Sequence, residues 1–360
     1  PKNGYFYVLD AATGEFLSAG SFAPQNWTTG IDPKTGRPAI NPEARYEKTG
    51  KPFIGAPGVA GARSSEPQSF RPPPSLCSLP PHDSAFPYLA ARDWKPSDIG
   101  VQVGLESGAV AMPADPAFRA GAKATTTGAL IAWNPLTQKP AWTVPQVGPW
   151  NGGTLATAGN LVFQGDAAGN FSAYSADKGT KLWSFPVQTG AMAAPMTYAI
   201  DGEQYVAILV GWGGLWDQAY GVLAHKSGAT RNISRLLVFK LGAKAALPAP
   251  KPLAALPLDP PAFTGTKEQA VLGASLYGRY CMACHGDAAV AGGINPDLRR
   301  SAVLGNAATM QAIVRDGALS PKGGGNGMVS FKSALKQEDV EAIRQYLILR
   351  ANEDKALGER

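Results

Sequence analysis

Cys281-Met282-Ala283-Cys284-His285 is the stretch on which the reading of this 360-residue chain turns. Two thiols three positions apart, with a histidine directly after the second, suit thioether attachment of haem. Each sulfur adds to a vinyl group, and the imidazole reaches the iron. Zinc would need two further ligands, and the chain offers only Cys77, His82 and His225 besides. A thioredoxin-type redox pair has no use for the adjacent histidine, and no βαβ pattern surrounds this one. The bland alternative is a disulfide placed by chance.

Working outward, Thr266-Lys267-Glu268-Gln269 predicts a capping box, with Ala270, Ala274 and Tyr277 at helical spacing behind it. Gly273 leaves room for another helix to come close. Gln337 to Arg350 predicts a second helix, with Val340, Ile343 and Leu347 on one face and charges on the other. Two helices crossing behind a haem resemble the small class I cytochromes c over roughly the last 100 residues. The second axial ligand is expected from Met328, in the glycine-rich loop Gly325-Asn326-Gly327-Met328-Val329-Ser330-Phe331. Its rival Met310 falls inside a helical pattern, Asn306 to Arg315, where core packing explains it. Met282 lies within the haem motif and cannot swing across the ring. Ligation by His285 and Met328 raises the potential and leaves no open position on the iron, so this haem is read as an electron carrier.

The remainder of the chain has a different character. Forty-two glycines, 31 prolines and only 17% charged residues favour an all-β part with many turns ahead of the helical end. No run of about 18 apolar residues is present to span a membrane. No leader is legible either. Haem attachment at this motif nevertheless implies export, so a periplasmic location is expected. The net charge of +6 is spread along the chain, which suits solubility and mild attraction to an acidic partner, not nucleic acid.

Gly4-Tyr5-Phe6-Tyr7-Val8-Leu9-Asp10 begins as a strand already under way, then turns at Ala12-Thr13-Gly14. The pattern returns at Gly128 to Asn134, followed by Trp142, and at Gly169 to Tyr174, followed by Gly179 and Trp183. Gly4 to Gly128 is 124 residues and Gly128 to Gly169 is 41, close to three periods and one. A period near 40 with strands, turns and a late tryptophan reads as propeller blades, each tryptophan wedged between neighbours. Trp150-Asn151-Gly152-Gly153 and Gly211-Trp212-Gly213-Gly214 set aromatics beside paired glycines, where something flat or another backbone can approach. Ser234 to Leu241 is one more strand, and Ala243 to Phe263, rich in Pro and Ala, reads as a linker. The domain expectation is therefore 1–242 a partial propeller, 243–263 a linker and 264–360 the cytochrome c domain. The fold class is mainly β followed by all-α.

The tryptophan-marked propeller, the Lys2-Asn3-Gly4-Tyr5-Phe6-Tyr7-Val8-Leu9-Asp10 opening, the Trp-Asn-Gly-Gly and Gly-Trp-Gly-Gly stretches and the fused cytochrome together resemble the quinohaemoprotein alcohol dehydrogenases. Those are eight-bladed enzymes that use pyrroloquinoline quinone (PQQ) and calcium. The resemblance implies that Lys2 contacts the quinone oxygens, its ammonium stabilising negative charge there. On the residues alone, Lys2 is an ordinary surface lysine. It also implies that Trp150, Val210 and Trp212 line the quinone, with blade core as the equal alternative. Cys281, Cys284, His285 and Met328 match the haem ligands.

Departures from the family are as informative. The chain matches only the latter part of such an enzyme. The vicinal disulfide, the calcium-binding glutamate and asparagine, and the aspartate base belong to the family's upstream half and match nothing here. A whole propeller at this period takes roughly 330 residues, and fewer precede the linker. Incomplete, it leaves an open sheet edge. Between Pro57 and Pro81 the family's His-Asn-Trp segment and following strand are replaced, and the run Pro72-Pro73-Pro74 is expected to forbid a central strand. This segment reads as translated out of frame, with Cys77 an incidental thiol. Asn26-Trp27 sits too early to be the displaced pair.

Three functions follow as expectations. The first is oxidation of an alcohol with electrons passing from the quinone to the haem and on to a small redox protein or quinone, this chain by itself being inactive. The second is a periplasmic c-type electron carrier with a non-catalytic propeller for docking. The third is a propeller binding module.

Overall fold

The computed structural model describes residues 1–72, 75–100, 103–213, 220–224, 232–250, 256–291, 295–318 and 327–358. Its first two thirds, as far as Lys240, are a series of antiparallel sheets. β1 (Tyr5–Leu9) pairs with β2 (Phe16–Ser21), and β3 (Thr28–Ile31) with β4 (Pro38–Ile40). A short helix α1 (Tyr46–Thr49) follows, and β5 (Phe53–Gly55) pairs forward with β9 (Phe86–Tyr88). Then comes a sheet of β6 (Ser69–Arg71), β7 (Leu76–Leu79), β8 (His82–Asp83), β10 (Thr127–Asn134) and β11 (Lys139–Gln146), with helix α2 (Pro116–Ala124) inserted before β10. A four-stranded sheet holds β12 (Thr154–Ala156), β13 (Leu161–Gly165), β14 (Asn170–Ser175) and β15 (Lys181–Pro186). The last has β16 (Met196–Ile200), β17 (Glu203–Val210) and β18 (Arg235–Lys240).

The repeat seen in sequence is a repeat in structure. The ladder slips by one residue between Val8 and Leu9, between Ala132 and Trp133, and between Ala173 and Tyr174. Each slip precedes the same turn. Asp10 Oδ1 accepts the amides of Ala12 and Thr13 at 2.9 and 2.8 Å, and Asn134 Oδ1 those of Leu136 and Thr137 at 2.9 and 3.2 Å. A left-handed residue closes the turn, Gly14 (φ +74°) in one sheet and Gln138 (φ +54°) in the other. The wedge reading of the tryptophans holds. The Trp142 indole N–H donates to the Ala176 carbonyl of the next sheet at 3.1 Å, and Trp183 meets Phe239 of the sheet beyond edge-on at 5.2 Å. Apolar layers fill the gaps: Phe22, Leu79 and Trp133 in the first, Leu130, Val162 and Tyr174 in the second, Phe171, Ile208 and Leu237 in the third. Each large side chain so buried contributes about 1.5–3 kcal/mol.

The final sheet is apolar on both faces. Ile208 and Leu237 point into the third layer, while their neighbours Leu209 and Leu236 are 57% and 59% exposed. Met196, Tyr198, Ile200 and Val238 share that exposure. An alternating strand normally turns polar residues outward. This one presents a face of the kind that the inner sheets cover with one another.

The expectation that the proline run abolishes a strand is overturned. Pro72 sits in the turn between β6 and β7, and Pro73 and Pro74 lie outside the described residues. Pro72 is at the connection, where no ladder N–H is needed, and both flanking strands pair: Ser69 opposite Ser78, and Ser78 in turn opposite Ala132. Leu76, Leu79 and His82 are buried there. A segment that supplies two strands and a core layer does not need a frame error to explain it, and Cys77 is a half-buried strand residue packed near Trp133.

Helix α3 (Lys267–Tyr280) begins at Thr266, whose hydroxyl accepts the Gln269 amide at 3.1 Å. After the single turn α4 (Met282–His285) come α5 (Ala307–Asp316) and α6 (Gln337–Ala356). Gly273 of α3 lies on Ala342 and Tyr346 of α6, so a Cβ there would strike the α6 backbone. Val340, Ile343 and Leu347 face the core as the pattern requires, and α6 runs on to Ala356, beyond the Arg350 end read from the charges. The 243–263 stretch holds no helix or strand among its described residues and is tethered at points, Gln188 donating to the Pro248 carbonyl at 2.8 Å and Lys355 to Asp259 at 2.9 Å.

A stretch with no motif holds the two halves together. Residues 95–100 and 103–119 run along the helical part: Ser275 Oγ donates to Glu106 at 2.9 Å, the Met112 amide to Asp287 Oδ2 at 3.1 Å, and Gly108 abuts Ala274 and Gly278. Arg119 reaches Asp354, which Arg299 and Arg350 also meet, at 2.7, 2.6 and 3.5 Å.

Candidate haem centre and quinone-facing cavity

The haem motif is built by the end of α3. Cys281 caps that helix and accepts the His285 amide at 2.9 Å, so the next turn carries Cys284 and His285 on past it. Cys281 is buried in the cluster formed by Tyr277, Leu304, Met310, Phe331 and Leu347, and Cys284 is exposed. Burial, with Cys284 beside it, pushes the Cys281 thiol up to about 12, so the free thiol keeps its proton there. The His285 ring is oriented by its own fold: Nδ1 lies 3.1 Å from the Pro296 carbonyl. A carbonyl only accepts, so Nδ1 carries the proton and Nε2 is left bare for iron. Burial also pulls the imidazole below its usual value, which keeps it neutral and able to ligate. The Tyr277 hydroxyl pins the motif's exit by donating to the Gly286 carbonyl at 2.8 Å.

Met328 is half-buried against the same cluster, its carbonyl accepting the Ala318 amide at 2.9 Å. Residues 319–326, including Gly325 and Asn326 of the expected ligand loop, lie outside the described residues. Met310 is buried within α5, as core packing requires. These residues fit a covalent haem with one imidazole fixed in the ligating tautomer and a thioether near the same core. Met328→Ala is expected to lower the haem potential and remove the sulfur-to-iron charge-transfer band. Met310→Ala should keep that band while costing about 2–5 kcal/mol of stability for the cavity it leaves. Redox titration and denaturant unfolding of the two variants separate the roles.

Lys2 stands at a cavity of about 350 Å³, which Trp27, Tyr46, Phe53, Val59, Gly61 and Tyr88 help to line. Its ammonium donates to the Ala60 carbonyl at 3.2 Å and to Ser64 Oγ at 3.3 Å. Gly61 is at φ +82°, and a Cβ there would sit 2.6 Å from Lys2 Cβ, so only glycine lets the lysine lie where it does. Tyr46 and Tyr88 stack at 5.5 Å. Burial, with Tyr46 beside it, pushes the Tyr88 phenol up to about 12. A cationic side chain at the wall of an aromatic cavity suits a flat anionic ligand.

Trp150 is part of a buried cluster with Ala60, Tyr220 and Ala224, and His82 stacks on it at 4.6 Å. Glu66 lies 3.4 Å from His82 Nε2, a charge contact without hydrogen-bond alignment, and also accepts the Ser64 amide at 3.1 Å. Burial alone would raise the Glu66 carboxyl, but His82 holds it below its ordinary value. Trp212 packs over Gly190 beside Met192, which touches the Trp150 cluster. Val210 lies apart, in the third apolar layer with Phe171 and Ile208. Ala60 thus ties Lys2 to the Trp150 cluster and, through Met192, to Trp212, while Val210 is blade core. Tyr220, Pro296 and Asp287 carry no motif. Gly214, the last residue of the Gly-Trp-Gly-Gly stretch, is outside the described residues. Among the described residues no three or more His, Cys, Asp or Glu gather as a metal cluster. Nor is any described helix long and apolar enough to cross a membrane.

Residues 124–206 match the family model of the glucose/ethanol/alcohol dehydrogenase β-propeller domain, and residues 268–347 that of cytochrome c oxidase, cbb3-type, subunit III. The chain is 41% identical over 98% of its length to the dehydrogenase subunit of the quinone alcohol dehydrogenase of Acetobacter aceti, covering 47% of that protein. With the quinohaemoprotein alcohol dehydrogenase ADH-IIG of Pseudomonas putida it is 42% identical over 98% of this chain and 48% of the other. The solved structure of ADHIIG from P. putida HK5 superposes with a TM-score of 0.87 at 41% identity, over 99% of this chain and 51% of that one. The enzyme from Comamonas testosteroni gives 0.75 at 34%, over 98% and 50%. The chain spans about half the length of these relatives. By sequence along nearly its whole length and by fold in both its parts, the chain belongs to the quinohaemoprotein alcohol dehydrogenase family.

Proposed function

We propose that this chain forms the electron-accepting part of a PQQ-dependent alcohol dehydrogenase, working in the periplasm. The observation that carries the reading is one polypeptide placing a lysine at a cavity on a PQQ-type propeller and a thioether haem motif on a cytochrome domain clasped to it. Pyrroloquinoline quinone, when bound, takes the hydride of an alcohol and releases its electrons singly. Lys2 would hold the quinone oxygens, its ammonium offsetting the charge that builds there on reduction. Cys281 and Cys284 would tether the haem, His285 and Met328 would bind its iron, and electrons would leave for a small redox protein or quinone. Trp212 would contribute packing near the quinone, and Trp150 would support it from beneath His82. The residues here supply no assigned base or calcium set, so we propose that the chain on its own does not turn over alcohol.

The second reading, an electron carrier with a docking propeller, makes no use of Lys2. Mixing reduced PQQ with the haem-loaded chain discriminates. The dehydrogenase reading predicts saturable reduction of the haem that Lys2→Ala weakens about tenfold or more, a loss of some 1.4 kcal/mol in binding. Reduction that does not saturate and is indifferent to Lys2→Ala would sink it.

A further inference from the structure

We propose that Tyr220 and Gly221 form the bridge by which single electrons pass from the Lys2 cavity to the haem ligand His285. The inference rests on the quinone-to-haem reading above and names the residues that reading leaves open.

The links are short and continuous. Lys2 Nζ donates to the Ala60 carbonyl at 3.2 Å, and the amide of the same Ala60 donates to the Tyr220 hydroxyl at 2.9 Å. Tyr220 is buried with Ala60 and Trp150, so its ring lies in a packed layer. Gly221 follows it in the chain. A Cβ on Gly221 would sit 2.6 Å from the Asp287 carbonyl oxygen, which means that its backbone lies directly on that peptide. Its φ of +54° is a further reason for glycine. Asp287 is two residues from His285, and the intervening Gly286 is pinned by Tyr277. From cavity to ligand the path uses covalent bonds, two hydrogen bonds and one tight backbone contact. Tunnelling falls off more slowly along bonds and hydrogen bonds than across gaps, so a route of this kind outcompetes longer ones.

The other bridges between the two parts start elsewhere. Ser275–Glu106 and Arg119–Asp354 spring from residues 89–100 and 103–124, none of which is among the described residues that line the cavity. Burial pushes the Tyr220 phenol well above its usual value, so it keeps its proton and serves as a closed-shell bridge. The balance is simple. One electron leaves the reduced donor in the cavity, one ferric haem becomes ferrous, the donor's protons leave on the cavity side, and no bond along the bridge forms or breaks.

A flash experiment tests the bridge without the quinone. Val59, an exposed residue of the cavity wall, is replaced by cysteine in a Cys77→Ser background and labelled with a thiol-linked ruthenium photoreductant. In the haem-loaded chain, a flash should reduce the haem in a first-order step. Tyr220→Phe keeps the ring but loses the bond from Ala60, and should slow that step severalfold with the haem potential and spectrum unchanged. Tyr46→Phe, elsewhere on the cavity wall, should leave the rate alone. Equal rates in Tyr220→Phe and its parent would overturn the bridge. They would not touch the dehydrogenase reading, which the reduced-quinone experiment decides separately.

Discussion

Replacing Cys281 and Cys284 together by serine is expected to turn a haem that acidified acetone cannot extract into one that it removes completely. The two thioethers are the only covalent links this sequence offers, since Cys77 is in β7 on the propeller side. The consequence reaches beyond the cofactor. Cys281 is packed within the core that holds Tyr277, Leu304, Phe331 and Leu347, the same core a haem would fill. Without the tether, haem binding becomes an ordinary equilibrium, and stability then depends on free haem as RT ln(1 + [L]/Kd), about 2.7 kcal/mol at one hundred times Kd. The double variant should therefore melt lower, and its melting temperature should rise with added haem, whereas the parent's should not. Single variants should keep one thioether and resist extraction. The measurement is haem content after acid–acetone treatment, with the melt followed at the Soret band.

Asp354→Ala should be the most damaging single change away from the haem. Asp354 is fully buried and meets Arg119 at 2.7 Å, Arg299 at 2.6 Å and Arg350 at 3.5 Å. Arg299 is also held by Asp297 at 2.7 Å, and Arg119 donates to the Pro113 carbonyl at 2.8 Å. Removing the carboxylate leaves guanidinium groups buried around an empty centre, a change that costs about 3–5 kcal/mol when one partner of a buried pair is lost. Because Arg119 belongs to α2 and Asp354 to α6, the loss should also loosen the clasp between the propeller part and the helical part. Denaturant unfolding should show the midpoint drop, and proteolysis should begin near residues 95–119. The exposed pair Lys355–Asp259 provides the contrast, since its removal should change little.

Much of the site was legible because its chemistry is local. Cys281, Cys284 and His285 are consecutive in one turn, so their spacing alone specifies a haem tether. The propeller was legible because its turns and wedge tryptophans repeat. What was not legible depends on distant contacts. Pro296 orients His285 from eleven residues away with no motif to mark it. The 95–119 clasp has no periodicity, and its docking relies on Gly108 meeting Gly278 and on an arginine finding an aspartate 235 residues on. Proline forbids a strand only within the ladder, and Pro72 falls at the turn that follows β6. Sequence alone leaves Val210 and Trp150 equally suited to a ligand wall or to the core. Burial assigns Val210 to the third layer, while Trp150 is covered by His82.

On the function proposed above, a c-type haem held by His285 and Met328 is joined to a PQQ-type propeller that needs further residues to oxidise alcohol. A visible spectrum of the chain, matured with haem and recorded oxidised, after dithionite, and after alcohol with PQQ and calcium, tests it most directly. Sharp reduced bands are expected with dithionite and none with alcohol. Alcohol-driven reduction would show that this chain assembles the whole reaction by itself, and a chain that holds no haem at all would overturn the haem assignment.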